Sequence, residues 1–253
     1  MEAESAGGRV TVVIPAFNEA PVLGDVVRAA VSDIAARLPG CEVLVVDDGS
    51  TDATPQLLAE LAGAAPQVRS MRLERNLGQG PALHRAFEAS DGEWICQMDG
   101  DGQVVPADFW QLWRRRDEGD LVLGVRRVRC DPRHRRLLTR VVRLATGAAS
   151  GRPLEDAAAP LRLIRRSLWE DVRNDVGDDA IALSILVSVA ASRRGWRVCE
   201  VPVHHRRRTH GASHLRRLHL LRFIMVACFE LTALAVRLRE VRPLPSRHPL
   251  AGA

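Results

Sequence analysis

The chain has 253 residues, 46% of them apolar, so it can bury one substantial core as a single domain or two small ones. Its net charge of +5 comes from arginine without any lysine, and an aromatic content of 4% with no stacking motif excludes an RNA-binding sheet. The five cysteines (Cys41, Cys96, Cys130, Cys199 and Cys228) are scattered and make no CxxC pair, which excludes a disulfide framework and a structural zinc site.

Residues 1–8 are polar and acidic and do not read as a signal peptide, so the expected place of action is the cytoplasm or the cytoplasmic face of a membrane. A β-branched run at 10–14 reads as a buried strand ending at Pro15, and 20–38 has helical spacing up to Pro39-Gly40. Residues 43–46 form a second strand that runs into Asp47-Asp48-Gly49-Ser50, with Thr51 or Asp52 placed to cap the following helix. A third strand is expected at 68–73, a helix at 81–89, a fourth strand at 94–98 and a fifth at 120–124. Such alternation marks an α/β chain with a mostly parallel sheet flanked by helices.

The second half is less regular. It predicts an Arg-rich helix at 133–149, a short strand within 156–165, an apolar helix at 180–194, a strand at 197–203 and a basic stretch at 204–210. Residues 215–239 read as one long helix, with His219, Arg222, Glu230 and Arg237 near one face and Phe223, Ile224, Phe229 and Leu231 off it. Arg222 and Glu230 interrupt its apolar run, which falls short of the ~20 residues a spanning helix needs. That leaves an amphipathic helix lying on a membrane surface, or one packed on the domain or on a second copy. With no repeat and no linker, the expected organisation is a flexible start (1–8), one domain (9–213), a C-terminal amphipathic helix (214–240) and a Pro-rich disordered tail (241–253).

Each candidate functional cluster in the first half follows the C-terminal end of a strand, where ligands bind in open α/β sheets. The strongest is Met98-Asp99-Gly100-Asp101-Gly102-Gln103. Asp99 and Asp101, separated by one glycine, can reach a single hard divalent cation, Mg2+ or Mn2+, that shares its oxygens with substrate phosphates. Gln103 adds an amide oxygen or orients a metal-bound water. Taken alone the pair reads as an Asp-Gly turn; its companions are Pro15-Ala16-Phe17-Asn18-Glu19, Asp47-Asp48-Gly49-Ser50-Thr51-Asp52 and Arg75-Asn76-Leu77-Gly78-Gln79-Gly80. Acidic groups at the first two strand ends can accept hydrogen bonds from ribose hydroxyls or a base, and Asp52 either contacts the base or caps a helix. Gly78 and Gly80 permit close backbone approach or a tight turn. Arginine clusters at 114–116, 126–136 and 206–208 suit phosphate groups or form solvated faces.

In this order, PAFNE, VVDDGSTD, NLGQG and MDGDGQ resemble family 2 glycosyltransferases, which have the Rossmann-like GT-A fold, over residues 10 to 125. Two later segments are similar to the dolichyl-phosphate mannosyltransferase and polyprenyl-phosphate glycosyltransferase branch: Gly124-Val125-Arg126, and the run from Gly195 through Glu200-Val201-Pro202 to Ser213. In that branch a strand ending EVP is followed by R-x-x-G-x-S-K. The resemblance implies inverting, metal-dependent transfer of a hexose from a nucleotide-sugar (GDP-mannose or UDP-glucose type) to a polyprenyl-phosphate acceptor. The alternative is a soluble hydroxyl acceptor, a polysaccharide or small metabolite.

Carried over residue by residue, the donor would meet Pro15, Ala16, Asn18, Glu19, Asp47, Asp48, Asp52, Asn76, Gly78, Asp99, Gly100, Asp101 and Arg208. Glu19 and Asp48 would hold the nucleoside, with Asp52 near the base and Arg208 facing the diphosphate. Asp99, Asp101 and Gln103 would hold Mg2+ or Mn2+, and Arg126, Arg135, Arg136, Ser213 and His214 would meet the acceptor phosphate. The catalytic set is then Asp99, Asp101, Arg126, Asp178 and Asp179. Asp178, Asp179 or Asp156 would serve as general base for a hydroxyl acceptor. A lipid phosphate, with a second pKa of about 6, needs no base. The chain departs from the branch at His214, where lysine is usual, and at Asp156-Ala157-Ala158-Ala159-Pro160-Leu161-Arg162, where Asp-x-x-Ser-Gly-Phe-Arg is usual. A nucleotidyltransferase, the rival from another class, would carry a Gly-rich basic loop after the first strand, which PAFNE is not. No nucleic-acid partner is expected.

Overall fold

The computed structural model describes residues 8–126, 133–206 and 217–238, the helical stretches 133–141 and 217–224 by their backbone course. The expected disordered tail, residues 1–7 of the flexible start, Arg208, Ser213 and His214 lie outside the described residues, as do the side chains of Arg135 and Arg136.

The β-branched runs pair as expected. β1 (Val10–Ala16), β2 (Glu42–Asp47), β3 (Val68–Arg72) and β4 (Trp94–Met98) run parallel in the spatial order β3-β2-β1-β4. The helices α1 (Ala20–Ala30), α2 (Thr54–Ala64) and α3 (Gln79–Glu88) connect them. β5 (Leu121–Arg126), β6 (Leu161–Arg165) and β7 (Val198–Val203) complete a seven-stranded sheet, β3-β2-β1-β4-β6-β5-β7, in which β6 alone is antiparallel to its neighbours. Because β1 lies between β2 and β4, the connections leave it to opposite sides. The crevice at that reversal is the ligand position of open α/β sheets.

Alternate side chains of the central strands feed two cores, one per sheet face. Val13, Leu44 and Val46 pack beneath α3, α6 (Arg166–Val176), α7 (Leu183–Arg193) and α8 (Arg217–Arg237). Val12, Ile14, Val43 and Val45 pack beneath α1, α2 and α4 (Phe109–Trp113). The remaining helix, α5 (Arg133–Ser150), lies against α7 and α8.

Local differences from expectation have local causes. The helix expected over 20–38 ends as α1 and continues into a π turn, Val31–Ala35, where the Asp33 carbonyl accepts the Trp110 indole N–H at 2.8 Å. The N-cap of α2 is Ala53, with neither Thr51 nor Asp52 in that place. Asp52 nevertheless receives the N–H of Thr54 at 2.9 Å. The sequence reading missed α4, too short for a period to show, and α6, whose apolar residues Leu168, Trp169, Val172 and Val176 are diluted by charge. Among the described residues no helix is long and apolar enough to cross a membrane.

In α8 the polar residues Glu230 and Arg237 do share a face, and both are tied to the body of the domain. Glu230 accepts the N–H groups of Ile181 and Ala182, and Arg237 Nη1 donates to Asp175 O at 2.9 Å. Ala227, Leu231, Leu234 and Leu238 bury beside them. The opposite face leaves Met225, Phe229 and Val236 exposed.

Candidate active site

The motif-bearing loops at the strand ends are joined in series by polar side chains that bind their neighbours' backbone. Asn18, in the left-handed region at φ 54°, receives the N–H of Thr51 on Oδ1 at 2.8 Å and that of Asp52 at 3.3 Å, while its own N–H donates to Ser50 Oγ at 2.9 Å. Asparagine tolerates that conformation better than other branched or bulky residues. The Glu19 N–H donates to Thr54 Oγ1 and the Ala20 N–H to Asp52 Oδ2. These bonds fasten the loop after β1 to the loop after β2.

The next joint is Asp48. Its buried carboxylate accepts Leu77 N–H at 2.7 Å and Gly78 N–H at 2.8 Å, fixing the turn after β3 and the entry to α3. Burial raises its pKa, against the lowering effect of those two bonds. Gly49, at φ 70°, lies so close to Arg75 and Asn76 that a Cβ would come within 2.5 Å of Arg75 backbone. Asp47 is 1% exposed, accepts Ser50 N–H at 2.8 Å on Oδ1, and has Arg72 Nε 3.3 Å from Oδ2. Burial is the largest influence on Asp52 and would raise its pKa, but bonds from Thr54 and Ala20 outweigh it and hold the carboxyl low.

Asp99 and Asp101 follow β4 beside that crevice. Gly100 passes under the end of β1, where a Cβ would sit 2.7 Å from Pro15 O; only glycine fits there without a shift. Gln79 Nε2 donates to Asp99 Oδ1 at 3.0 Å, which joins the start of α3 to this loop. Burial, then the neighbouring Asp101 carboxylate, pushes Asp99 up to about 7, while Arg126, Arg162 and the Gln79 bond pull it down. Asp101 Oδ1 receives Gln103 N–H at 3.1 Å. Gln103 ties the loop to the segment after β7: its Nε2 donates to Arg206 O at 3.0 Å, its carbonyl accepts Arg206 N–H, and Val104 bridges His205.

Among the described residues no three His, Cys, Asp or Glu side chains gather as a metal cluster. The donor set still fits a hard cation that completes its shell with water and a diphosphate, since two carboxylates suffice for that. A cation between Asp99 and Asp101 would offset the burial of the Asp99 charge and its repulsion from Asp101.

Arg126 ends β5 and forks onto buried Asp156, Nε to Oδ2 at 2.7 Å and Nη2 to Oδ1 at 3.0 Å. Asp156 is steadied by Glu200, which accepts the N–H groups of Glu155 and Asp156. Arg162, fully buried, donates to the carbonyls of Ala157, Ala159 and Ser184 and to Ser188 Oγ. Burial brings its pKa down to about 10, opposed by Asp156 and Asp99. Sequence reasoning assigned no role to Arg162, Glu200 or Glu230. The signal for Arg162 was its place at the end of the Asp156–Arg162 segment, and Glu200 stood in the EVP motif. Asp178 Oδ1 lies 3.3 Å from His84 Nε2 and lines a cavity of ≈ 530 Å3 with His84, Arg85, Glu88 and Arg173. Asp179 is exposed on the same loop.

Residues 11–173 match the sequence model for glycosyl transferase family 2. The undecaprenyl-phosphate 4-deoxy-4-formamido-L-arabinose transferase of Salmonella choleraesuis (strain SC-B67) is 30% identical over 230 residues, spanning 89% of this chain and 69% of that protein. Among solved structures, glucosyl-3-phosphoglycerate synthase from Mycobacterium tuberculosis with Mn2+, UDP and glucosyl-3-phosphoglycerate matches with a TM-score of 0.69 and 18% identity, over 93% of this chain and 82% of that one. A mannosyltransferase from Pyrobaculum calidifontis in complex with GDP-Man and Mn2+ matches with a TM-score of 0.54 and 23% identity, over 90% of this chain and 69% of that one. At these identities the solved structures speak for the GT-A-like fold.

Proposed function

This chain belongs to glycosyl transferase family 2, and from that premise we propose that it transfers a hexose from a nucleotide-sugar to a polyprenyl phosphate, with inversion and with Mg2+ or Mn2+. The observation that carries the proposal is the Asp99–Asp101 pair beside the crevice where the sheet's connections reverse.

Asp99 and Asp101 would hold the cation, with Gln103 orienting its shell, and the bound ion would neutralise the departing diphosphate. Glu19, Asp48 and Asp52 would hold the nucleoside. The backbone of Pro15, Ala16, Asn76, Gly78 and Gly100 would line its path, kept in place by Asn18 and Asp47. Arg208 would face the diphosphate. Arg126 stands within electrostatic reach of Asp99 and would share its guanidinium between Asp156 and the acceptor phosphate, with Arg135, Arg136, Ser213 and His214 completing that side. An ionised phosphate needs no general base, and positioning then carries the reaction. One candidate base, Asp156, is already paired, with Arg126, which supports a phosphate rather than a hydroxyl acceptor.

The name of the Salmonella relative supports the same acceptor class. A lipid-linked acceptor arrives at a membrane, and the outward Met225, Phe229 and Val236 of α8 would rest on its cytoplasmic face. The test is incubation of purified protein with Mn2+ or Mg2+, UDP- and GDP-sugars and a short polyprenyl phosphate. Metal-dependent nucleotide release stimulated by the lipid phosphate is the expected result. Release indifferent to lipid would move the acceptor to a soluble hydroxyl, and no release with any donor would overturn the proposal.

A further inference from the structure

We infer that Glu230 is a positioning residue for the donor side of the active site, acting from the C-terminal helix through the backbone of residues 180–182. The inference rests on the reading of Asp48, Asp99 and the start of α3 as the donor site.

A carboxylate on the inward face of a packed helix is costly unless it is paired. Glu230 sits among buried Ala227, Leu231 and Leu234, and both its oxygens are used: Oε1 accepts Ile181 N–H at 2.8 Å and Oε2 accepts Ala182 N–H at 2.9 Å. Ala182 is the N-cap of α7 and offers no side-chain acceptor of its own. The partly positive end of α7 is therefore capped from another helix, at a sequence separation of 48.

The pinned loop in turn touches α3. The Ala180 and Ile181 carbonyls lie against Gly80, where a Cβ would come within 2.0 Å and 2.8 Å of their oxygens. The contact is backbone on backbone, with no flexible side chain to absorb a displacement. On α3, Gly80 follows Gly78, whose N–H binds Asp48, and Gln79, whose amide donates to Asp99. Two residues beyond Ala182, Ser184 Oγ donates to Gln97 of β4 at 3.1 Å. Glu230, the 180–182 backbone, Gly80, Gln79 and Asp99 thus form a continuous run of contacts from the C-terminal helix to the candidate metal ligand. The other polar tie of α8, Arg237 to Asp175 O, holds the end of α6 and stands off this run.

Full-length Glu230→Ala, Glu230→Gln and Arg237→Ala variants are compared by hydrogen exchange at Gln79, Gly80, Ala82 and Leu83, and by calorimetric binding of UDP and GDP with Mn2+. Glu230→Ala is expected to speed exchange at those amides and to weaken nucleotide binding about ten-fold, the scale of one charge-assisted hydrogen bond. Glu230→Gln keeps one acceptor oxygen and should fall between it and wild type; it carries the test if the alanine variant does not fold. Arg237→Ala should loosen α8 and leave both readouts at the wild-type level. Equal effects from Glu230→Ala and Arg237→Ala, or none from Glu230→Ala, would overturn the inference. If the wild type binds neither nucleotide, the donor-site reading falls, while the exchange comparison still decides whether Glu230 sets the position of α3.

Discussion

The strand-end loops of the first half and the β6–α7 region of the second border the same crevice and differ in what mainly holds them. In the first half, short polar side chains capture backbone N–H groups of the adjoining loop: Asn18 those of Thr51 and Asp52, Asp48 those of Leu77 and Gly78. In the second half, buried charge does the holding, with Arg162 spread over the Ala157, Ala159 and Ser184 carbonyls and Arg126 locked to Asp156. The first arrangement shapes a cradle from backbone. The second sets the electric field of that cradle, since Arg126 and Arg162 are the cations that restrain the pKa of Asp99.

The sharpest way to break this division is at the carboxylate pair. Asp101→Asn should cut transfer about 100- to 1000-fold, the scale of losing one partner of developing charge, and leave the urea midpoint unchanged. A large fall in stability instead would make Asp101 part of the scaffold. On the other side, Arg162→Met should cost about 3 kcal/mol or more in urea unfolding, because it strands several buried carbonyls. Stability near wild type would mean that the charge is dispensable to the fold.

A smaller effect separates conformation from hydrogen bonding in the cradle. Asn18→Ala should lose about 2 kcal/mol, and Asn18→Gly less, because glycine keeps the positive φ while both lose the bonds to Thr51 and Asp52. Equal losses would assign the whole effect to the bonds. A further test is on pH dependence. Asp99 is raised to about 7 in the folded chain, against roughly 4 for an ordinary aspartate, so the native state binds more protons between those values. Stability should therefore fall as pH rises from about 4 through 7, and Mn2+ with nucleotide should flatten the slope. Urea midpoints at pH 5 and pH 8, with and without the ion, check the sign; a flat profile without it would mean that burial and Asp101 do not hold Asp99 up.

Much of the first half was legible because its signals are local. PAFNE, VVDDGSTD, NLGQG and MDGDGQ each follow a strand, and the structure brings them together at the strand ends around the β1–β4 crevice. Their partners were not legible. Asp48 reads as a ligand-facing carboxylate, yet both its oxygens also hold the turn after β3, a contact at a sequence separation of 29 to 30. Gln103 reads as a candidate ligand, yet it also clips Arg206, at a separation of 103. Asp178 reads as a base and lies against His84.

By itself the sequence determined the α/β alternation, the mostly parallel sheet it implies and the placing of the carboxylates after β4. Those follow from side-chain period and from residues a few positions apart. Only the tertiary structure decided that β6 runs antiparallel between β4 and β5, that Arg162 is buried, and that the polar face of α8 turns inward to cap α7 through Glu230. Burial of a charge and the capping of a distant helix depend on which surfaces meet in space. Periodicity along the chain specifies which side of an element is distinct, and the packing partner decides which way that side faces.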